Sequence, residues 1–294
     1  MDTVTDRLAA MADDLLADTR LLLLEHSTIR DINDGGGGLV WIGSHYAFGE
    51  VGDEGRVLQS KILKAVPLFI SLVRTLLAPQ SEGARKQVDD AEKTLRAVVE
   101  QTRLVWHSST HNALQAVENE FAELIKALRA LYDPVEGLVA LVPDTNALLY
   151  NSSLKDWSFP DLPSFSIVLV PGVLSELDEL KVNHRNPDVR EKAESLIRQI
   201  KEYRRRGNLT DGVPIVRDRI TLRSVAVEPR TSETLPWLDA DSADDRILAA
   251  MVDVMRLHPR AAVALVSRDI NLQNKADYAR VPYFEPPDPS EGHA

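Results

Sequence analysis

The feature that most constrains this chain is a change of pattern after Gly137. From there, short apolar runs at 138–142, 166–170, 222–227 and 262–266 alternate with helical periodicities at 172–183, 188–206, 242–257 and 271–279. Strand–helix–strand alternation of this kind predicts a parallel sheet with helices on its faces. The stretch 207–240 is less regular. Pro229, Pro236 and the Ser/Thr-rich segment 231–234 predict a loop over or beside whatever site the sheet carries.

The first half has a different pattern. Val4, Leu8, Met11, Leu15 and Leu22 recur at helical spacing, and helices are expected over 4–25, 56–77, 84–106 and 110–132. Pro67 is expected to kink or interrupt the second. A break at 31–55 contains the glycine run 35–38, which lacks the Lys-Ser/Thr of a phosphate-binding loop and reads as a linker or as backbone room beside Trp41. Asp133-Pro134 is a helix-stop signal. The expected division is an all-α domain over 1–134 and an α/β domain over 135–294.

Composition narrows the function classes. The 294 residues are 44% hydrophobic and 27% charged, an ordinary globular balance. No stretch has the roughly 20 apolar residues of a membrane span, and the N-terminus, with Asp2 and Asp6, lacks a signal peptide's basic start. Cysteine is absent, which excludes disulfides, thiolate zinc sites and cysteine nucleophiles and fits a cytoplasmic location. Net charge is −11, unfavourable for general binding of nucleic acid unless charge is segregated or a metal supplies a local positive centre. His107 and His111 are four apart but have no Glu in the metalloprotease position.

The acids are placed where such a sheet would use them. Asp144 follows the first strand, and Glu176 lies one turn into the helix after the second. Asp241, Asp244 and Asp245 open the helix near 242, and Asp269 follows the last strand. Ligands of parallel α/β sheets bind beyond the carboxyl ends of the strands. Carboxylates collected there repel one another, and a divalent cation relieves the repulsion. Oxygen-only ligation suits Mg²⁺ or Mn²⁺. Each acid alone has an ordinary explanation. Asp241 reads as a plain helix cap, and acids in a first helical turn are favoured by the helix dipole. Glu176, between Leu174 and Leu177, is expected near buried positions.

Four segments in order, 142–149 (VPDTNALL), 170–180 (VPGVLSELDEL), 244–250 (DDRILAA) and 266–276 (VSRDINLQNKA), resemble the PIN domain, a metal-dependent ribonuclease fold. The resemblance covers about 138–286, and the last two segments are most similar to its PhoH-type branch. It implies an α/β/α sandwich around a central parallel sheet, and metal ligation by Asp144, Glu176, Asp245 and Asp269. Asp244 fills an acidic position that can act through water, while Asn146 and Ser267 match small polar positions that brace the site. It further implies an endoribonuclease that leaves 5′-phosphate and 3′-hydroxyl ends. A non-catalytic scaffold binding RNA or protein, and a DNA nuclease of the flap-endonuclease type, are the alternatives. The helical extension matches no family and would serve as a lid, a partner-binding module or a dimerisation surface.

Substrate contacts are expected from cations near the acids. Residues 181–206 hold nine basic residues against four acidic, net +5 in an acidic chain. Lys181, Arg185 and Arg268 lie nearest the acids and are the candidates to contact single-stranded RNA. The competing reading of the segment is a solvated helix face with pairs such as Glu194–Arg198. Trp157, Phe159 and Trp237 read as loop anchors rather than base platforms.

Overall fold

The computed structural model describes residues 2–32, 45–101 and 105–289. The glycine run 35–38 and Trp41 fall outside them. Two compact units emerge: Leu8–Ala130, and Leu131–Ala294 together with Met1–Arg7.

The first unit is built on four helices, α1 (Val4–Glu25, of which residues from Leu8 onward count here), α2 (Asp53–Leu77), α3 (Glu82–Glu100) and α4 (Thr110–Tyr132). Their apolar stripes meet in a core that includes Leu15, Leu22, Ile62, Val73, Leu95, Val117 and Leu124, all almost fully buried. Phe69 and Phe121 pack edge-to-face with ring centroids 5.3 Å apart. Pro67 does not end α2, which continues ten residues beyond it. α3 is shorter than its pattern predicts. Ser81 caps its start, accepting from the Ala84 amide, and Gln101 closes it in the left-handed conformation, φ 51°. The expected continuation over 102–104 lies outside the described residues. The segment read as a plain break also carries a small antiparallel pair, β1 (Ile29–Asp31) with β2 (Tyr46–Phe48). Three-residue strands are too short to show a period of two, so no pattern announced them.

The second unit carries six strands: β3 (Val139–Pro143), β4 (Phe165–Leu169), β5 (Val213–Val216), β6 (Ile220–Ser224), β7 (Ala262–Val266) and β8 (Tyr283–Phe284). Their spatial order is β5-β6-β4-β3-β7-β8. All neighbours are parallel except β5, which pairs antiparallel with β6 at one edge. The connecting helices are α5 (Thr145–Tyr150), α6 (Pro171–Asn183), α7 (Pro187–Arg206), α8 (Ala243–Leu257) and α9 (Ile270–Tyr278). This is the expected α/β sheet flanked by helices, preceded by a helical region. β7 is buried at all five positions and β3 at four of five. Strands covered on both faces lose polar alternation, which is why they read as continuous apolar runs. Within 207–240, the strand expected at 222–227 forms two residues earlier as β6, and β5 precedes it without having been expected.

Among the described residues, no helix is long and apolar enough to cross a membrane.

Candidate active site

β3 sits mid-sheet with β4 on one side and β7 on the other. The chain leaves β3 toward β4, but leaves β7 toward β8 in the opposite direction. The carboxyl ends of β3 and β7 therefore flank a topological switch point, where departing chains diverge and leave a crevice. Pro143 pairs with Val266 in the ladder, so Asp144 and Ser267 emerge side by side.

Asp144 is the most constrained acid. It is 4% exposed and caps α5, with Oδ1 accepting from the Ala147 amide at 2.6 Å. Its Oδ2 accepts from the hydroxyl of Ser267, itself fully buried. Burial pushes the Asp144 carboxyl above its ordinary pKa. The Ser267 hydroxyl and the Ala147 amide pull it back, while the charges of Asp269 and Glu176 push it further up. Those last two effects place three of the expected acids in one electrostatic neighbourhood.

The other acids have local partners. Asp269 caps α9, accepting from the amides of Asn271 (2.7 Å) and Leu272 (3.2 Å), and its own amide donates to Ser267 Oγ at 3.0 Å. Ser267 thus joins Asp144 to Asp269. Glu176 Oε2 accepts from Thr145 Oγ1 at 2.6 Å. Glu176 is exposed, against the expectation of a position near the core. It lies one residue off the inward stripe of α6, whose buried residues are Val173 and Leu177. Asn146 is also exposed, and its side chain forms no hydrogen bond among the described residues. The bracing contact falls on its buried neighbour Thr145.

α8 is capped by Ser242, not Asp241, which instead forms a turn by donating its amide to Asp239. Asp245 is buried in the first turn. Its Oδ2 accepts from the Asp239 amide at 2.8 Å, and its Oδ1 from Lys275 Nζ at 2.6 Å. Asp244 lies 3.5 Å from the same ammonium. Burial favours the neutral Asp245, but the Lys275 and Asp239 hydrogen bonds and the Lys275 charge outweigh it and hold the carboxyl below its ordinary pKa. Lys275 is the residue that sequence reasoning passed over. It stands in the last turn of α9, six residues after Asp269, and its partners Asp244 and Asp245 lie about thirty residues earlier, so its position in the sequence does not mark it.

With every acid engaged locally, no three His, Asp or Glu side chains among the described residues are grouped closely enough to hold a metal ion. The chemistry of the donors nevertheless fits a hard divalent cation: they are all oxygen, and Asp144 carries unrelieved repulsion from Asp269 and Glu176.

The expected substrate cations are dispersed. Lys181 pairs with Asp178 on its own helix, and Arg185 is exposed. Arg268 lies 3.9 Å over the ring of Tyr150, a cation–π contact beside Asp269. α7 buries Ala193, Leu196, Ile197, Ile200 and Tyr203, and its solvent side carries pairs such as Glu194–Arg198 at 3.0 Å. Trp157 is a loop anchor, fully buried with its indole N–H donating to the Asn151 carbonyl. Phe159 is buried beside it, and half-buried Trp237 packs edge-on against Tyr278.

Residues 141–285, just under half of the chain, match the family model of the PIN domain. The match supports a PIN domain over that segment, and PIN domains are typically nucleases that use divalent metals and bind nucleic acid. No curated protein matches the chain.

Proposed function

We propose that this protein is a divalent-metal-dependent endoribonuclease of the PhoH-type branch, acting on single-stranded RNA in the cytoplasm. The observation that carries the reading is the buried, doubly held carboxylate of Asp144 at the switch point, next to Asp269 through Ser267. A stable fold has little use for a buried acid whose neighbours are further acids.

Asp144, Glu176, Asp245 and Asp269 would hold Mg²⁺ or Mn²⁺, with Asp244 acting through water. Such an ion, when bound, supplies an acidified water and neutralises charge on the scissile phosphate. The protein's own side chains do the rest. Ser267 and the Ala147 amide fix the orientation of Asp144, and Thr145 fixes that of Glu176. Lys275 compensates Asp244 and Asp245 and keeps Asp245 ionised. Arg268, set on Tyr150, offers a guanidinium to a backbone phosphate, and Lys181 and Arg185 extend that attraction along the strand. Hydrolysis leaves 5′-phosphate and 3′-hydroxyl ends. The helical portion, taken as residues 1–134, serves as a module for a protein partner or a second copy.

One observation favours a second reading. Lys275 already satisfies Asp245, as it would in a non-catalytic scaffold that binds RNA or protein. Cleavage of 5′-labelled single-stranded RNA in Mn²⁺, Mg²⁺ or EDTA separates the two. The nuclease reading expects metal-dependent cutting that Asp144→Asn and Asp269→Asn both abolish. Asn caps helices as well as Asp does, so loss of activity would not reflect a lost cap. No cutting and no calorimetric metal binding by the wild type would leave the scaffold.

A further inference from the structure

The opposite edge of the same sheet holds a cavity that the carboxylate site does not use. Its volume is about 480 Å³, and it opens at the amino ends of β3, β4 and β6 and just before β7. Its polar lining includes Arg219, Arg223, Arg260 and His258, against one acid, Asp218. In a chain of net charge −11, a concentration of cations of this kind is out of proportion to its surroundings.

Among the described residues, none of the three guanidinium groups has an acid partner. Arg219 donates to the carbonyl of Trp157 at 2.8 Å and Arg260 to the carbonyl of Asp133 at 3.1 Å. These bonds fix the groups without cancelling their charge. Arg223 has no hydrogen-bond or ion-pair partner among the described residues. Space for it is provided by Gly212, at φ +96°, where a Cβ would come within 3.0 Å of the guanidinium carbon. Asp218 forms its ion pair with Arg217, outside this trio. His258 is biased toward its neutral form by burial and by the charge of Arg223, so it can accept as well as donate a hydrogen bond. The remaining wall sets Val139, Ala140 and Phe165 from β3 and β4 beside the hydroxyl side chains of Ser164, Ser166 and Thr221.

Guanidinium groups that line one cavity without an acid partner favour phosphate, which their planar forks grip in bidentate fashion. The apolar part of that wall suits a flat heterocycle. The volume lies within the roughly 300–1,000 Å³ of small-molecule sites. We propose that this cavity binds a nucleotide, with its phosphates on Arg219, Arg223 and Arg260 and its base against Phe165 and Ala140. The site is separate from the carboxylate edge and does not depend on the nuclease reading.

Calorimetric titration of the full chain with ADP, AMP, inorganic phosphate and adenosine, in buffer containing EDTA, tests this. EDTA removes metal-dependent binding at the carboxylate edge, so loss of the nuclease reading would not mimic loss of this one. ADP is expected to bind at least tenfold more tightly than phosphate or adenosine. Arg223→Gln and Arg260→Gln are each expected to weaken it tenfold or more with circular dichroism unchanged. Arg260 is exposed, so its substitution keeps the test valid if Arg223→Gln fails to fold. Absence of ADP binding, equal binding of ADP and adenosine, equal binding of ADP and phosphate, or indifference to Arg260→Gln would each overturn the proposal.

Discussion

Asp144 shows how a single side chain can work for chemistry and against stability. Burial and two nearby acids raise its pKa, so its charged form is disfavoured in the folded state relative to the unfolded chain. A raised acid opposes folding at neutral pH, and that penalty fades as pH falls below the folded pKa. Asp144→Asn, in EDTA, is therefore expected to leave the melting temperature unchanged or raise it by about 2–4 °C, the shift equivalent to roughly 1 kcal/mol for a domain of this size. The same substitution is expected to abolish cleavage. Differential scanning calorimetry beside the RNA assay checks both, and a marked fall in melting temperature would contradict the account. Lys275 predicts the opposite behaviour. Lys275→Ala strands the buried Asp245 carboxylate, which keeps only the Asp239 amide and the cap of α8. A loss on the order of 1–3 kcal/mol is expected in urea denaturation, the cost of leaving a buried polar group short of a partner. An unchanged midpoint would mean that solvent takes over the pairing.

At this scale the sequence was informative about which acids matter and uninformative about what holds them. Asp144, Asp245 and Asp269 are legible because each directly follows a strand or opens a helix. Thr145, Lys275 and the Ser267 bridge become visible only when strand ends and helix starts are placed side by side, since their partners are 31, 30 and 123 residues away. Glu176 and Asn146 show the converse. A helix neighbour one position off the buried stripe points to solvent, and a residue-type pattern does not resolve that offset of about 100°.

Among the elements, most of those with long periodic patterns were recovered nearly to the residue, α3 being the exception, and those below about four residues were not. α1, α4 and β7 coincide with their predicted extents, whereas β1, β2 and β8 have too few residues for any period to register. Pro67 does not interrupt α2 for a tertiary reason: Val66, Phe69, Ile70 and Val73 on both sides of it are buried, and core packing outweighs the one backbone bond that proline removes. The link between α2 and α3 can be tested through charge. Arg74 bridges Asp89 (2.9 Å) and Glu92 (2.8 Å), and Arg96 reaches Glu92 as well. The Arg74 hydrogen bond, against opposing burial, holds the Glu92 carboxyl below its usual range. A depressed acid contributes stability above its unfolded pKa and loses it as pH falls through the folded one. The wild type is thus expected to lose, between neutral pH and pH below 4, a small advantage over Glu92→Gln. Because the pair is partly exposed, that advantage should be at most about 1 kcal/mol and shrink in salt. Paired urea titrations at two pH values measure it.

At the scale of the whole molecule, each unit carries its own core. Phe121 lies 3% exposed against Phe69 in the helical one. Phe121→Ala is expected to cost about 3–5 kcal/mol of unfolding free energy. The divalent-metal affinity of the folded protein should stay within twofold of wild type, because none of the proposed ligands lies in that unit. Calorimetry of Mn²⁺ binding at a temperature where the variant remains folded would check this, and a large loss of affinity would make the helices part of the site.

The continuous burial of β7 has a consequence for exchange with heavy water. Amides of a central strand covered on both faces are released only when the domain opens as a whole, while helix ends and loops open locally. The amides of Ala262–Val266, and that of Ser267 donating to the Phe284 carbonyl at 3.0 Å, should therefore be among the last in the sheet to take up deuterium. The first turns of α6 and α9 should exchange earlier. Ser267 would then sit at the end of this slow-exchanging strand, with Asp144 beside it at the end of the neighbouring β3, a rigid anchor beside helix starts free to adjust around whatever enters.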